Sequence, residues 1–265
     1  MSDRIRLDAL LTQRGLFPSR SRAAAAVMAG DVRLCASGAR SAKPGQMVLT
    51  DAEVEVVERA RYVSRGGIKL ENALALLGLS VDGRHCLDAG ASTGGFTDCL
   101  LQGGAREVIA VDVGYGELAW SLREDPRVHV LERTNARELQ ADQLPYQPDL
   151  ITADLSFISL TKVLPALIDC AAEKFDAVVM VKPQFEVGRD RVGRGGVVRD
   201  PQLRKESVAS VAEFARERCG AAVLGFASSG LPGPKGNKES FVHLAEGGRA
   251  GALGHLSAAL DRAEL

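Results

Sequence analysis

The chain contains 265 residues, of which 46% are hydrophobic and 25% are charged, and its formal net charge is −1. This composition is typical of a soluble globular protein, and the length predicts one main domain with a smaller module. The first residues form no apolar signal region, and no run approaches the ~20 apolar residues that cross a bilayer. Secretion and membrane insertion are therefore not expected, and a cytoplasmic protein is favoured.

Five cysteines and four histidines are scattered along the chain. The cysteines form no C-x-x-C pair, so reduced thiols are expected and zinc or redox chemistry is not indicated. The histidines favour neither a metal site nor a Ser/His/Asp arrangement. We therefore predict no metal in the functional site. The cysteines are Cys35, Cys86, Cys99, Cys170 and Cys219.

The first 43 residues are basic, although the whole chain is nearly neutral. Eight arginine or lysine residues stand against three aspartates there, which gives a local charge of +5. Such a charge favours a polyanionic partner, and a solvated helix face is the alternative. The basic residues are Arg4, Arg6, Arg14, Arg20, Arg22, Arg33, Arg40 and Lys43.

Two short helices and a small sheet are predicted within residues 1–60. Apolar residues from Ile5 to Leu11 share one face of a helix that stops at Gly15, and a second helix runs from Ser19 to Ala29. Three short strands are then predicted. They lie around Val32-Arg33-Leu34, Met47-Val48-Leu49 and Glu53-Val54-Glu55-Val56-Val57.

This module resembles the S4-type RNA-binding domain. The resemblance implies a small α+β fold in which Arg6, Arg20, Arg22 and Arg33 face the phosphates of structured RNA. The matching residues are Arg6-Leu7-Asp8, Leu11, Gly15, Ser19-Arg20, Ala23, Gly30, Val32 and Leu34.

Residues 61–65 are predicted to link this module to a second domain, residues 66–265. Apolar positions from Ile68 to Leu77 predict a helix at the start of that domain. Lys69 lies near its amino terminus, where the helix dipole disfavours a cation. A specific role for Lys69 is therefore indicated, and an ordinary surface lysine is the alternative.

A glycine-rich turn follows the first strand of the second domain. The strand is predicted to end at Leu87, with Asp88 at its tip and a helix starting near Gly94. Gly90, Gly94 and Gly95 would let the backbone approach a ligand closely. The turn is typical of a nucleoside-binding site.

The glycine spacing favours S-adenosylmethionine over a dinucleotide. The second glycine of G-x-G-x-x-G is absent, and Asp88 would repel a diphosphate but suits a cationic amino-acid group. Asp112 ends the next strand, where a carboxylate can bind ribose hydroxyls. A plain βα turn with solvated carboxylates is the alternative. The predicted cofactor-binding residues are Asp88, Gly90, Ser92, Thr93, Gly94, Gly95, Phe96, Asp112, Val113, Asn135 and Asp154.

Strands and helices alternate through the rest of the chain, which predicts a doubly wound α/β sheet. A final pair of apolar strands fits the antiparallel hairpin of class I methyltransferases, a Rossmann-like fold. The predicted strands lie at 107–111, 128–131, 149–154, 177–181, 221–227 and 240–244. The predicted helices lie at 116–122, 160–172 and 201–218.

Four ionisable residues fall at element ends that should converge: Lys69, Asp154, Lys182 and Glu239. Asp154 precedes Leu-Ser-Phe and not a Pro-Pro-aromatic run, and no cysteine stands at the neighbouring strand tips. These features argue against methylation of base amines or of pyrimidine C5. A lysine and carboxylate set suits a sugar hydroxyl, with Lys182 as the base, and structural ion pairs are the alternative.

The second domain resembles the TlyA (hemolysin A) family of rRNA 2′-O-methyltransferases, which have an FtsJ/RrmJ-like catalytic domain. The resemblance implies that these four residues form the catalytic set, acting with S-adenosylmethionine on cytidine ribose in bacterial rRNA of one or both subunits. Tyr62 stands where a known family linker has tryptophan. The matching stretches are 62–66, 86–97, 112–116, 153–159, 181–186 and 232–237.

A loop rich in glycine and arginine, residues 187–199, follows the Lys182 strand. We hypothesise that it folds over bound RNA and that Arg191 and Arg194, together with Arg65, contact phosphates. A disordered connector is the alternative.

Three function classes stay open at this point. The first is an rRNA methyltransferase whose partner is ribosomal RNA or a ribosomal subunit. The second is a catalytically silent RNA-binding assembly factor, which the intact catalytic set disfavours. The third is a hemolysin acting on membranes, which the absence of a signal region and of a cationic amphipathic helix disfavours. The oligomeric state is left open.

Overall fold

The computed structural model describes residues 4–34, 43–56 and 61–263. The chain divides into two compact units, Met1–Ala60 and Arg61–Leu265. Cys35, Arg40 and Val57, which the sequence analysis named, lie outside the described residues.

The first unit packs two helices against two small antiparallel sheets. Strand β1 pairs with β3 and strand β2 pairs with β4. Leu7, Leu11 and Val27 lie in the buried core of this unit. Its elements are β1 (Arg4–Arg6), α1 (Leu7–Gln13), α2 (Arg20–Met28), β2 (Val32–Leu34), β3 (Met47–Leu49) and β4 (Val54–Val56).

The first predicted helix starts too early. Ile5 belongs to β1 and pairs with Val48, because the backbone of residues 4–6 hydrogen-bonds to β3 before the helix begins at Leu7. The second predicted helix is confirmed. Its N-cap is Ser19, whose hydroxyl accepts a hydrogen bond from the Arg22 amide.

The second unit alternates strands with helices. Its strands are β5 (His85–Ala89), β6 (Glu107–Val111), β7 (Val128–Leu131), β8 (Leu150–Ala153), β9 (Asp176–Val181), β10 (Ala222–Ser228) and β11 (Ser240–Ala245). Its α-helices are α3 (Arg65–Leu77), α4 (Gly95–Gln102), α5 (Trp120–Arg123), α6 (Leu164–Asp169), α7 (Pro183–Glu186), α8 (Pro201–Arg218) and α9 (Leu256–Arg262).

These strands form a seven-stranded sheet in the order β10-β11-β9-β8-β5-β6-β7. Strand β11 is antiparallel to both of its neighbours, whereas β7, β6, β5, β8 and β9 are parallel. The predicted doubly wound sheet with a closing hairpin is therefore confirmed. Because parallel strands share one direction, the carboxyl ends of β5, β6, β8 and β9 meet at one edge, where such folds bind ligands.

Both faces of the sheet are covered by helices, and successive side chains of a strand point to opposite faces. In β9, Val179 belongs to the core with α6, α8 and α9, while Met180 belongs to the core with α3 and α4. The continuous apolar run of β9 reflects this burial on both faces.

Several predicted boundaries change in the structure. Residues 61–65, predicted as a linker, group with the second unit, and the Val63 amide donates to Asp98 of α4. The predicted helix 160–172 is a 3-10 turn followed by α6, because Pro165 fits only the first turn of a helix. Helix α5 starts at Trp120 and not at Gly116, and α9 was not predicted.

Candidate active site

The glycine turn after β5 is shaped by contact with the β8 end. Gly90 has a φ of 84°, and a Cβ there would lie 2.6 Å from the Asp154 carbonyl oxygen. Only glycine fits this conformation and this approach. The turn then enters α4 at Gly95, where a Cβ would overlap the Ser64 hydroxyl. The backbone of α4 is thus brought against the start of α3.

Asp88 is fully buried beneath this turn. It lies inside β5, one residue before the strand ends, and not at the strand tip as predicted. Its Oδ2 accepts a hydrogen bond of 2.7 Å from the Thr97 hydroxyl, whereas Oδ1 has no hydrogen-bond partner among the described residues. Burial raises the pKa of Asp88 to about 7. A buried acid with an unused oxygen is suited to a cationic ligand group.

Asp112 follows β6 and is held rigidly by two backbone amides. Its Oδ2 accepts from the Ser92 amide at 2.8 Å, and its Oδ1 accepts from the Gly114 amide at 2.7 Å. Each carboxylate oxygen keeps a second lone pair for a ligand hydroxyl. Glu117, which the sequence analysis did not single out, accepts from the Ser92 hydroxyl at 3.2 Å.

Two further predicted cofactor residues lie near Asp112. The Thr134 amide donates to the Asp112 carbonyl, which brings Asn135 close to this strand end. The Asn135 side chain itself caps a 3-10 turn by accepting from the Arg137 amide. Val113 is 69% exposed, so its side chain is available to a planar ligand group.

Lys69 and Glu239 form a buried ion pair. Lys69 Nζ lies 2.5 Å from Glu239 Oε2, and the two side chains are only 9% and 2% exposed. Helix α3 and the loop before β11 therefore place a charged pair inside the fold. This pairing explains the lysine near the start of a helix, which the helix dipole alone disfavours.

Lys182 and Asp154 form a second, more open pair. Lys182 Nζ lies 2.5 Å from Asp154 Oδ1, in an ion pair without the angles of a hydrogen bond, and it donates to the Ser156 hydroxyl at 3.0 Å. The Asp154 side chain is 25% exposed. Ser156 was not identified as a site residue from the sequence.

Both ion pairs and the glycine turn line one cavity of about 460 Å³. All four predicted catalytic residues are thus brought together. Of the predicted cofactor residues, Gly90, Ser92, Thr93, Gly95, Phe96 and Asp154 line it, as does Arg65. Gly94, Asp112, Val113 and Asn135 do not line it, and Asp88 lies buried. The lining residues that the sequence analysis did not assign to the site are Ser64, Gly66, Ala91, Ser156, Pro232 and Pro234.

The loops that carry Asp154 and Lys182 are joined by Glu186. Its two carboxylate oxygens accept from the Ser159 hydroxyl at 2.6 Å and from the Leu160 amide at 2.9 Å. Burial raises the pKa of Glu186. We call this set of contacts the Glu186 clasp. It fixes α7, which follows Lys182, to the loop that follows Asp154.

Phe157 is strained and exposed beside this clasp. Its φ is 65°, a conformation that aromatic residues rarely adopt, and its side chain is 92% exposed. Its ring lies 5.4 Å from the Phe185 ring, measured between centroids. Phe157 does not line the cavity, but its strain and exposure make it a candidate for contact with a ligand.

Residues 187–199 are folded against the Glu239 loop, which disagrees with a disordered connector. Gly193 and Val197 form a β-bridge, and the buried Asn237 side chain bonds to the Val198 amide and the Gly196 carbonyl. The Arg191 guanidinium pairs with Glu206 at 3.1 Å. Arg194 is exposed at the turn.

The Arg65 side chain, predicted to contact phosphates, is also held within the second unit. Its NH2 donates to the Pro232 carbonyl at 3.0 Å, and the side chain lies at the cavity. This contact joins the start of α3 to the Glu239 loop.

The four arginines predicted to bind RNA in the first unit are exposed. Arg6 and Arg20 both contact Asp8, whereas Arg22 lies in the first turn of α2 and Arg33 lies in β2. Within the described residues, no group of His, Cys, Asp and Glu could hold a metal ion. None of the described helices has the length and apolar character to span a membrane.

A glycine turn over a buried acid and a second acid after the next strand are typical of an α/β enzyme that uses a nucleoside cofactor, and two lysine–carboxylate pairs line the cavity beside the turn. A family model of FtsJ-like methyltransferases matches residues 62–246. The chain is 55% identical over 247 residues to the 16S/23S rRNA (cytidine-2′-O)-methyltransferase TlyA of Mycobacterium tuberculosis, covering 92% of this chain and 91% of that protein. The protein therefore belongs to the TlyA family of FtsJ-like methyltransferases, which confirms the resemblance drawn from the motifs.

Two further relatives extend this comparison. The 23S rRNA (cytidine-2′-O)-methyltransferase TlyA of Campylobacter jejuni is 33% identical over 201 residues, covering 76% of this chain and 77% of that one. A solved protein from Streptococcus thermophilus that carries the hemolysin name is 39% identical, with a TM-score of 0.72 over 99% of this chain and 96% of that one.

Proposed function

We propose that this protein transfers a methyl group from S-adenosylmethionine to the ribose 2′-hydroxyl of a cytidine in bacterial ribosomal RNA. The observation that carries the proposal is the placement of Lys182, Asp154 and Ser156 in the same cavity as the glycine turn. A group bound at the turn and an acceptor at Lys182 would share one cavity.

The residues at the turn fit S-adenosylmethionine. Asp88 Oδ1, which has no hydrogen-bond partner in the described part of the chain, suits the cationic end of the cofactor, and the fixed carboxylate of Asp112 suits its ribose hydroxyls. When bound, the cofactor supplies an electrophilic methyl group. The glycines at 90, 94 and 95 let the turn pack closely against Asp154, Leu122 and Ser64, which fixes the turn beside the strand ends.

In this proposal Lys182 first releases to solvent the proton that it carries in its ion pair with Asp154, and its neutral amine then accepts the proton of the ribose hydroxyl. Asp154, 2.5 Å from the Lys182 nitrogen, stabilises the ammonium group that results. Lys69 contributes positive charge to the same cavity, and Glu239 balances that charge. Positioning of the hydroxyl oxygen in line with the departing group supplies further rate enhancement.

The RNA substrate is supported by the exposed arginines of the first unit and by the relatives. The Mycobacterium tuberculosis protein is named for both 16S and 23S rRNA, and the Campylobacter jejuni protein for 23S rRNA alone. The 55% identity to the first favours activity on both subunits. A ribosomal substrate also implies that the protein works in the cytoplasm.

Methyl transfer onto separated ribosomal subunits tests this function. Purified protein is incubated with tritiated S-adenosylmethionine and unmodified small or large subunits, and the modified position is mapped by reverse-transcription stops at low nucleotide concentration. We expect label on a cytidine ribose. Binding of subunits without any transfer of label would reject the enzymatic proposal and favour an assembly factor.

A further inference from the structure

A single buried carboxylate lies behind two of the arginines in the first unit. Asp8 is in the first turn of α1 and is only 4% exposed. A buried carboxylate is costly unless it is paired, and arginine side chains are its partners here. The Arg6 contact holds the pKa of Asp8 down to about 2, so the group is ionised under all ordinary conditions.

Arg6 contacts Asp8 through two parallel bonds. Its Nε donates to Oδ1 at 3.1 Å and its NH2 donates to Oδ2 at 2.7 Å. This bidentate geometry fixes the plane of the guanidinium group. A Cβ at Gly45 would lie 3.3 to 3.4 Å from three atoms of the same group, so the backbone there supports it from another side. The Arg6 side chain nevertheless keeps 50% of its surface exposed.

Arg20 reaches the same carboxylate from α2. Its NH2 lies 3.4 Å from both oxygens of Asp8, and its side chain is 57% exposed. Arg20 is the first residue of α2 and Arg22 lies in the same turn, where the helix dipole disfavours cations. Arg20 and Arg22 are thus placed unfavourably at the start of α2. The single carboxylate of Asp8 cannot neutralise these two arginines and Arg6 together.

We propose that Asp8 is a positioning residue for RNA binding, which holds the guanidinium groups of Arg6 and Arg20 side by side so that their exposed edges bind neighbouring phosphate oxygens. The inference rests on the proposed function, because it assumes that RNA is the partner of this unit. Fixing both side chains beforehand reduces the entropy lost when the phosphates bind.

A positioning role for Asp8 and a simple effect of net charge predict opposite changes in RNA binding. Asp8→Asn removes a negative charge from a basic surface, so a charge effect alone would tighten RNA binding. Positioning predicts weaker binding instead. Asp51→Asn is a matched control, since it removes the same charge from an exposed residue that follows β3.

The experiment measures binding of the full chain to large-subunit rRNA and to poly(U) over a series of salt concentrations. For Asp8→Asn we expect binding to rRNA to weaken at least about tenfold relative to Asp51→Asn, the size of a lost hydrogen bond to a charged group. The plot of log affinity against log salt should flatten by about 0.7 to 0.9 for each phosphate that the variant no longer neutralises. Arg6→Lys, which keeps the charge but not the two-pronged geometry, should bind rRNA more weakly in the same way.

Adding Asp8→Asn to a double arginine variant tests whether Asp8 acts through the arginines or only stabilises the fold. In a chain that carries Arg6→Gln and Arg20→Gln, adding Asp8→Asn should cause no further loss, because its effect passes through those two arginines. A further loss there would mean that Asp8 only supports the fold, and would overturn the inference. Unchanged or tighter binding by Asp8→Asn, or unchanged binding by Arg6→Lys, would also overturn it. A wild-type chain that does not bind rRNA above poly(U) would overturn the proposed function as well.

Discussion

Buried carboxylates at the carboxyl ends and at the amino ends of the sheet strands differ in how many partners they have. At the carboxyl edge, Asp88 is buried with one oxygen unpaired among the described residues, and Asp154 faces a cavity. At the amino edge, Asp176 is buried among two arginines and a histidine. Its Oδ1 lies 2.8 Å from His243 and 3.4 Å from Arg249, and its Oδ2 lies 3.0 Å from Arg84.

This difference separates acids that stabilise the fold from acids that are kept for ligands. The amino edge carries a network of ion pairs beside an open cavity, and in this network Arg249 also pairs with Glu246 at 2.7 Å. Polar groups in a fold are normally satisfied, so an unsatisfied buried acid indicates that another group completes it. We therefore expect the carboxyl edge to be the reactive one, and substitutions at the two edges should change different measurements.

The largest effect is expected from Lys182→Ala. Removing the proposed base should slow methyl transfer by about 10² to 10⁴-fold, the usual contribution of a general base. Single-turnover transfer of tritiated methyl groups to ribosomal subunits measures it. Lys174→Ala is the control, because Lys174 is exposed at the amino edge and should transfer at the normal rate. Full activity of Lys182→Ala would remove the base assignment.

Asp88→Asn should weaken S-adenosylmethionine binding without weakening the fold. Loss of a charged partner for the cationic group predicts an affinity about 10- to 100-fold lower by calorimetry. The ligand-free protein should melt at the same or a higher temperature at about pH 8, because an ionised carboxylate no longer has to be buried. A large fall in melting temperature would show that Asp88 is structural.

Asp176→Asn should have the reverse pattern. Removal of the shared partner of His243, Arg84 and Arg249 predicts a loss of about 2 to 3 kcal/mol in the free energy of unfolding. S-adenosylmethionine affinity at low temperature should stay normal, since the site lies at the other edge. Denaturant unfolding and calorimetry on the same preparation check both parts.

The two edges should also differ in their response to pH. The pKa of Asp88 is raised from an ordinary 3.8 to about 7. The ligand-free fold should therefore become less stable as the pH rises from about 4 to about 7, because Asp88 must then be buried as an ion. Glu246 has a pKa lowered to about 2 from 4.5, so its contribution is lost as pH falls. Cofactor affinity should rise up to tenfold per pH unit towards about pH 7. Asp88→Asn should abolish this rise.

The smallest effect is expected from Phe157→Gly. Glycine relieves the left-handed backbone but removes the ring that packs near Phe185, so stability should change by less than about 1 kcal/mol. Loss of a surface for stacking a nucleobase predicts a fall in kcat/KM of at least about fivefold with ribosomal subunits. Phe157→Tyr keeps the ring and should keep the activity. A normal kcat/KM for the glycine variant would exclude contact with the substrate.

Much of the catalytic unit could be predicted from the sequence because its strands are continuous apolar runs that end in charged residues. Asp154 and Lys182 were recognisable for that reason, Lys69 was recognisable from its place near a helix start, and the resemblance to the family implied all four residues, including Glu239. The pairing of Lys69 with Glu239, 170 positions apart, depends on β11 inserting beside β9, which local patterns do not determine. Ser156 was missed because a serine in a loop carries no periodic signal.

The second group of misses concerns side chains that satisfy backbone groups. Glu186 and Asn237 bond to amides and carbonyls of other loops, and nothing in the residues next to them indicates such partners. Ile5 was assigned to a helix because its apolar spacing fits one, although pairing with Val48 decides its conformation. Tertiary hydrogen bonds decide these positions, and they are set only once the chain has folded.

The Glu186 clasp ties the loop that carries Asp154 to the helix that follows Lys182, the proposed base. Because α7 is bonded to the loop that follows Asp154, a displacement of either loop carries the other with it. An arriving ribose would therefore meet Lys182 and Asp154 at a constant separation, even if the surrounding surface rearranges around a large RNA. Adaptation to different RNA targets would then leave the proton-transfer geometry unchanged.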